Sequence, residues 1–527
     1  MTTRLRIIRS TALLFAALLA VGSAVTSSPQ ASSAANSYTA ITGTGSTWSQ
    51  NALDQWRKNV ASNYGMTVNY SGTGSSAGRG DFIKGTVDFA VSEIAFDPKP
   101  TDGSTAEVAK NFAYMPIVAG GTSFMYNLKI GGKRVTNLRL SGETVTKIFT
   151  GVITNWKDPQ IVADNPGLAM PDKPIVPVVR SDGSGSTAQF TLWMSKQFPA
   201  LWKSFSALTG KTSQFPAKGA MKAQNGSLGV AGYVSQNYGE GAITYVEYSY
   251  ALKSGFPVAK VLNSAGYYVE PKATAVAVAL MKATIDTNPG PDYLTQILDG
   301  VYNSADPRTY PLSSYSYMIV PTKIEAPSIF TTDKGNTLGV FARYMICDGQ
   351  KQAAALGYSP LPMNLVLAGF KQIARIPGAG NVDVNPDACK NPTFKAGDKP
   401  ENNQLALTAP QPPACDKQGP QQCTAGTGGA AGVETTPSGG GSKGGTTAGT
   451  ETTDTASDAG GAPLDDSASG PASSGEAAVS SPFTLAGSSF GAPQYLMIGA
   501  GLFLLFAILL PPFLSKRLRR SKSDTAG

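Results

Sequence analysis

No histidine occurs anywhere in the 527 residues. Its absence excludes Ser-His-Asp and Cys-His nucleophile pairs and every His-based metal site. It also removes the commonest proton carrier near neutral pH. Carboxylate-only and Ser-Lys chemistry stay open, but the chain shows no clustered carboxylates with metal-ligand spacing, and no metal or cofactor is expected. Cysteine is scarce: Cys347, Cys389, Cys415 and Cys423 are the four present, and none lies near the N-terminus to carry a lipid anchor. In an exported chain four cysteines most simply make two disulfides. Spacing does not determine the pairing; proximity alone favours Cys347–Cys389 with Cys415–Cys423. Internal repeats and an LPxTG wall-sorting pentapeptide are also missing.

Long apolar runs are confined to the two ends. The opening "MTTRLRIIRSTALLFAALLAVGSAVTSSPQASSAA" has a basic start, a short apolar core and small residues after it, the pattern of a secretory signal over residues 1–35. Near the C-terminus, "YLMIGAGLFLLFAILLPPFL" (495–514) supplies 20 residues, mostly apolar, enough to cross a hydrocarbon core of roughly 30 Å. The basic stretch "SKRLRRSK" follows at once, so residues 515–527 are expected to be a cytoplasmic tail. The reading is a single-pass cell-membrane protein with its N-terminal part outside. The net charge of +8 is concentrated at these ends, in three N-terminal arginines and five basic residues after Ser515. The remainder is close to neutral, which gives no electrostatic surface for nucleic acid.

Between the ends, composition divides the chain. Residues 424–482 are dominated by Gly, Ser, Thr and Ala and read as a disordered linker, and 386–423 as a Pro- and Cys-containing transition. Residues 37–385 mix strand-like and helix-like segments. "MTVNYSG" (66–72), "VDFAVSE" (87–93), "PIVPVVR" (174–180) and "GAITYVEY" (241–248) are rich in β-branched and aromatic residues. Apolar residues three or four apart predict helices over 51–64, 141–151 and 186–198. Their alternation predicts an α/β domain with a largely parallel sheet.

Three glycine-rich turns share one grammar. "ITGTGSTWSQNALDQW" (41–56), "VNYSGTGSSAGRGDFIKGTVDFAVSE" (68–93) and "VVRSDGSGSTAQF" (178–190) each run from a strand through Gly, Ser and Thr into a helix. Free N–H groups and the positive dipole end make a helix start an anion site. Each turn alone is equally an ordinary capped loop; three together, one of them holding Arg180, point to an oxyanion cavity at the strand ends. The guanidinium suits bidentate oxyanion binding, and Asp182 is placed to orient it.

In these turns, and in "LSGETVTKIFTGVITNWKDPQI" (140–161), "NGSLGVAGYVSQNYGEGAITYVEYSYA" (225–251) and "YPLSSYSYMIVP" (310–321), the chain resembles the PstS family, the phosphate-binding proteins of ABC importers. The resemblance covers roughly residues 40–375. It implies a two-lobed, periplasmic-binding-protein-like fold of type II, with lobe 1 over about 37–117 and 320–385 and lobe 2 over about 118–319. It implies a non-enzymatic monomer whose partners are inorganic phosphate and an importer permease. Carried over by position, Thr47 would donate its hydroxyl and N–H, Trp48 its N–H and Ser75 its hydroxyl. Arg180 would be the one cation, held by Asp182, and Ser184, Gly185 and Ser186 would complete the cage. Glu93 falls where the family usually has an aspartate that takes a proton from phosphate. Its extra methylene leaves a larger oxyanion or a phosphate ester as alternatives. A phosphate sensor or scavenger, a phosphatase and an adhesion protein are the other readings.

Overall fold

The structure, a computed structural model, describes residues 38–435 except 289–291 and 384. The expected signal segment, the linker beyond 435, the apolar stretch at 495–514 and the basic tail lie outside the described residues. No helix among the described residues is long and apolar enough to cross a membrane.

The chain opens with β1 (Ile41–Gly45), α1 (Gln50–Tyr64), β2 (Val68–Ser71), α2 (Ser75–Ile83) and β3 (Phe89–Ser92). Helix α1 buries Ala52, Leu53, Trp56 and Val60, a stripe of helical period, and stops at Gly65 in the left-handed conformation. A 15-residue strand, β4 (Phe112–Tyr126), is buried along nearly its whole length. Then come β5 (Val176–Arg180), α3 (Gly185–Gln197), β6 (Lys222–Gln224), α4 (Gly226–Ser235), β7 (Ala242–Glu247) and β8 (Ser313–Pro321).

The main sheet runs in the order β2-β1-β3-β8-β4-β7-β5-β6. It is mixed, which corrects the expectation of a largely parallel sheet. Strand β1 pairs parallel with β2 and β3, and β5 parallel with β6 and β7. Between these parallel groups lie antiparallel pairs, β8 with β3 and β4, and β7 with β4. Strand β4 belongs to both groups: Phe112–Gly121 pair with β8, and Thr122–Tyr126 with β7.

The core changes at the same place. One cluster of buried side chains includes Trp56, Phe89, Tyr114, Tyr317 and Phe341; another includes Phe124, Phe149, Phe190, Trp202 and Tyr245. Burying each of these is worth roughly 1.5–3 kcal/mol. Gly120 marks the change-over on β4, where an added Cβ would fall 2.8 Å from the Trp48 ring.

Residues 386–435 do not leave the body where composition suggested. Cys389 is bonded to Cys347, and Cys415 to Cys423, the pairing that proximity favoured. Lys260 reaches Asp416 at 2.6 Å, and Arg139 donates to the Gln421 carbonyl at 2.8 Å. The linker was expected to begin at 424, yet 424–435 is packed down: Thr427 N–H donates to Thr136 O at 3.0 Å and Gly428 N–H to Glu270 at 2.7 Å. Small and polar residues suffice here because backbone hydrogen bonds to the body, not a core of their own, hold the segment.

Candidate functional site

Strand β1 ends at Gly45 and the chain turns through Ser46, Thr47 and Trp48 into α1. Strand β3 delivers Glu93 beside that turn, and α2 begins next to it at Ser75. From the other parallel group, β5 delivers Arg180 at its carboxyl end, and α3 starts at Gly185. All nine residues expected from the sequence, Thr47, Trp48, Ser75, Glu93, Arg180, Asp182, Ser184, Gly185 and Ser186, come together here. Thr47 is 6% exposed, Arg180 3%, and Ser75, Glu93 and Ser186 1% each.

Asp182 holds Arg180 by a two-point grip: Nε donates to Oδ1 at 2.7 Å and Nη2 to Oδ2. The Gly226 N–H, at the start of α4, donates to Oδ1 at 2.9 Å. Burial pushes the Asp182 carboxyl up, but the Arg180 guanidinium and the Gly226 N–H outweigh it and hold it below the usual carboxylate range. Arg180, the one cation among the site residues named here, is thus matched by one carboxylate, so an anion held here would rely largely on neutral donors. Arg180 Nη1 donates to Ser227 Oγ at 3.3 Å, and Ser227 Oγ lies 2.8 Å from Thr47 Oγ1.

At α3, the Ser184 hydroxyl caps the helix by accepting from Thr187 N–H at 3.2 Å, which leaves its proton free. The N–H groups of Gly185 and Ser186 occupy the first turn, where no intrahelical acceptor exists. The Ser186 hydroxyl is buried and has no hydrogen-bond partner. Gly185 is required by closeness: a Cβ there would fall 2.0 Å from Glu93 Oε2 and 2.6 Å from Ser75 Oγ.

Two donors are turned differently from what the sequence suggested. The Ser75 hydroxyl donates to Glu93 Oε2 at 2.8 Å, and the Trp48 N–H to Ser46 Oγ at 3.0 Å. Sequence reasoning missed Ser227, Ser316 and Gln189, and offered Ser46 only as an alternative to Thr47 for a hydroxyl donor in the first turn. Ser46 and Ser316 donate to Glu93 Oε1, the latter at 2.6 Å, and Gln189 Nε2 donates to the Glu93 carbonyl at 2.7 Å. Only Ser46 had a local signal, since it sits inside the first glycine-rich turn. The two sides are in contact across the site: Ser76 N–H donates to Gly183 O at 3.0 Å, and Ser227 N–H to Thr47 Oγ1 at 3.1 Å.

A family model described as a PBP superfamily domain matches residues 28–349. A phosphate-binding protein PstS of Xylella fastidiosa is 34% identical over 62% of this chain and 82% of its own length. PstS 2 of Mycobacterium tuberculosis is 32% identical over 60% of this chain and 82% of its own. PstS of Pasteurella multocida is 31% identical over 62% and 87%. A solved phosphate-bound protein, PfluDING, overlays 66% of this chain and 98% of its own at 20% identity, with a TM-score of 0.49. On the family model and the curated relatives, the chain belongs to the PstS family of phosphate-binding proteins within the PBP superfamily.

Proposed function

We propose that this protein binds inorganic phosphate outside the cell and delivers it to an ABC importer, tethered to the membrane through its C-terminal apolar segment. The observation that carries the reading is the buried, unpartnered Ser186 hydroxyl at the start of α3, beside two N–H groups without intrahelical acceptors and the Arg180 guanidinium. Each is a donor, and an oxyanion supplies what they lack. The Ser184 proton and the hydroxyl proton left over by the Thr47–Ser227 pair add two more. The relatives are named as phosphate-binding proteins, and the residues gathered at this site present the donors that a tetrahedral oxyanion needs.

The site holds and does not turn over. The chain has no histidine to activate a hydroxyl: those of Ser46, Ser75 and Ser316 are given to Glu93, those of Thr47 and Ser227 lie against each other, and Ser184 and Ser186 keep theirs for the ligand. Equilibrium dialysis of the purified full-length chain with radiolabelled phosphate tests this. Binding is expected, with at least a hundredfold loss in Arg180→Ala and no hydrolysis of 4-nitrophenyl phosphate. Absence of phosphate binding by the folded wild-type chain, or sustained release of nitrophenolate, contradicts the proposal.

A further inference from the structure

We infer that Ser46 and Ser316 are positioning residues: together with Ser75 they leave the Glu93 carboxylate a single open lone pair facing the ligand, and so select an oxyanion that carries a proton. This rests on the phosphate-binding reading and concerns how the same site discriminates.

The assignment follows from counting protons. Ser46 Oγ accepts from the N–H groups of Trp48 at 3.0 Å and Ser49 at 3.4 Å, so its own proton is directed to Glu93 Oε1. Ser316 Oγ donates to that oxygen at 2.6 Å, and Ser75 Oγ to Oε2 at 2.8 Å. An ionised carboxylate presents about four lone-pair sites. Both on Oε1 are filled, and one of the two on Oε2. The open one belongs to the oxygen that crowds Gly185, at the helix start where the free N–H groups of the cage gather.

The three donors are neutral hydroxyls and bring no countercharge to the carboxylate. A ligand approaching Oε2 therefore meets a buried, negatively charged acceptor. Hydrogen phosphate places its P–OH there. Sulfate brings only lone pairs, leaving two desolvated anions face to face. The longer arm of glutamate is accommodated in the same way. Ser46 and Ser316 grip the far oxygen and present the near one, while Gln189 and Gln296 hold the Glu93 carbonyl at 2.7 and 3.2 Å.

The test is calorimetric titration of the full-length chain with phosphate and with sulfate at pH 7, read as the ratio of the two dissociation constants. In the Ser46→Ala/Ser316→Ala double variant the preference for phosphate should fall at least tenfold. Ser316→Thr, which keeps the hydroxyl, should retain more of the preference than Ser316→Ala. Glu93→Gln, nearly isosteric, should lose the preference as well, and Ser316→Ala alone, the smaller change, keeps the inference testable where the double variant does not fold. Unchanged phosphate-to-sulfate ratios in folded double-alanine and Ser316→Ala variants overturn the positioning role alone. A wild-type chain that binds no phosphate overturns this inference together with the function on which it rests.

Discussion

Arg180 and Asp182 act as a pair, and substitution of either leaves the other buried. Arg180→Ala strands a carboxylate whose remaining donor is the Gly226 N–H, and breaking a buried pair of this kind destabilises by roughly 3–5 kcal/mol. The variant should therefore lose both phosphate affinity and several degrees of thermal midpoint, a combination measurable by titration and calorimetry on one sample. Gly185→Ala separates the two effects. Its Cβ cannot coexist with Glu93 Oε2 as placed, so the carboxylate must move away from the start of α3. We expect at least a tenfold loss of phosphate affinity with circular dichroism unchanged; undiminished affinity contradicts the close approach. At this scale the sequence was informative wherever chemistry is local. Glycine, serine and threonine between a strand and a helix mark a donor-rich turn, and Asp182 two residues from Arg180 marks its grip. Ser316 lies 223 residues from Glu93, and Ser227 lies 180 from Thr47. No local pattern brings such pairs together, because only the folded sheet does.

At the scale of elements, the strands and helices read from periodicity are present with ends shifted by one or two residues. The helix expected over 186–198 is observed over Gly185–Gln197, and the strand in 241–248 over Ala242–Glu247. Strand β4 escaped because burial along its whole length removes the alternation that announces a strand. It also carries the antiparallel pairing that makes the sheet mixed. Glu247, which ends β7, lies beside the change-over on β4. Its Oε2 accepts from Ser249 N–H at 2.7 Å, while Oε1 is buried without a partner. Burial drives its carboxyl well above the usual glutamate range, against the opposing hydrogen bonds of Ser249. The folded state thus keeps a proton that the unfolded chain releases as pH passes its ordinary value, so this group weakens stability progressively as pH rises. Glu247→Gln should raise the thermal midpoint, and more at pH 8 than at pH 5. An equal gain at both pH values, or a loss at pH 8, contradicts the protonated assignment.

For the whole molecule, the segment 386–435 is tied to the side that carries Trp56 through Cys389, and to the side that carries β7 through Asp416 and Thr427. Composition misjudged its end because a Gly- and Thr-rich stretch has no core of its own, yet it satisfies its backbone on a neighbour. The two disulfides close loops of different length, with sequence separations of 42 and 8. Chain-entropy arguments assign about 4 kcal/mol to the first and about 2.5 kcal/mol to the second. Denaturant unfolding of Cys347→Ser/Cys389→Ser should accordingly show a larger loss than Cys415→Ser/Cys423→Ser. The reverse order would place the stabilising role in the later loop. These supports hold in place the site proposed above, in which one cation, already matched, and a set of neutral donors would accept a protonated oxyanion and refuse a bare one.

The most direct measurement of that claim is the dissociation constant of the wild-type full-length chain for phosphate, obtained calorimetrically at pH 7 with and without a large excess of sulfate. Tight binding that sulfate leaves unchanged is the expected result. Displacement of phosphate by sulfate, or no heat of phosphate binding by folded protein, would contradict it.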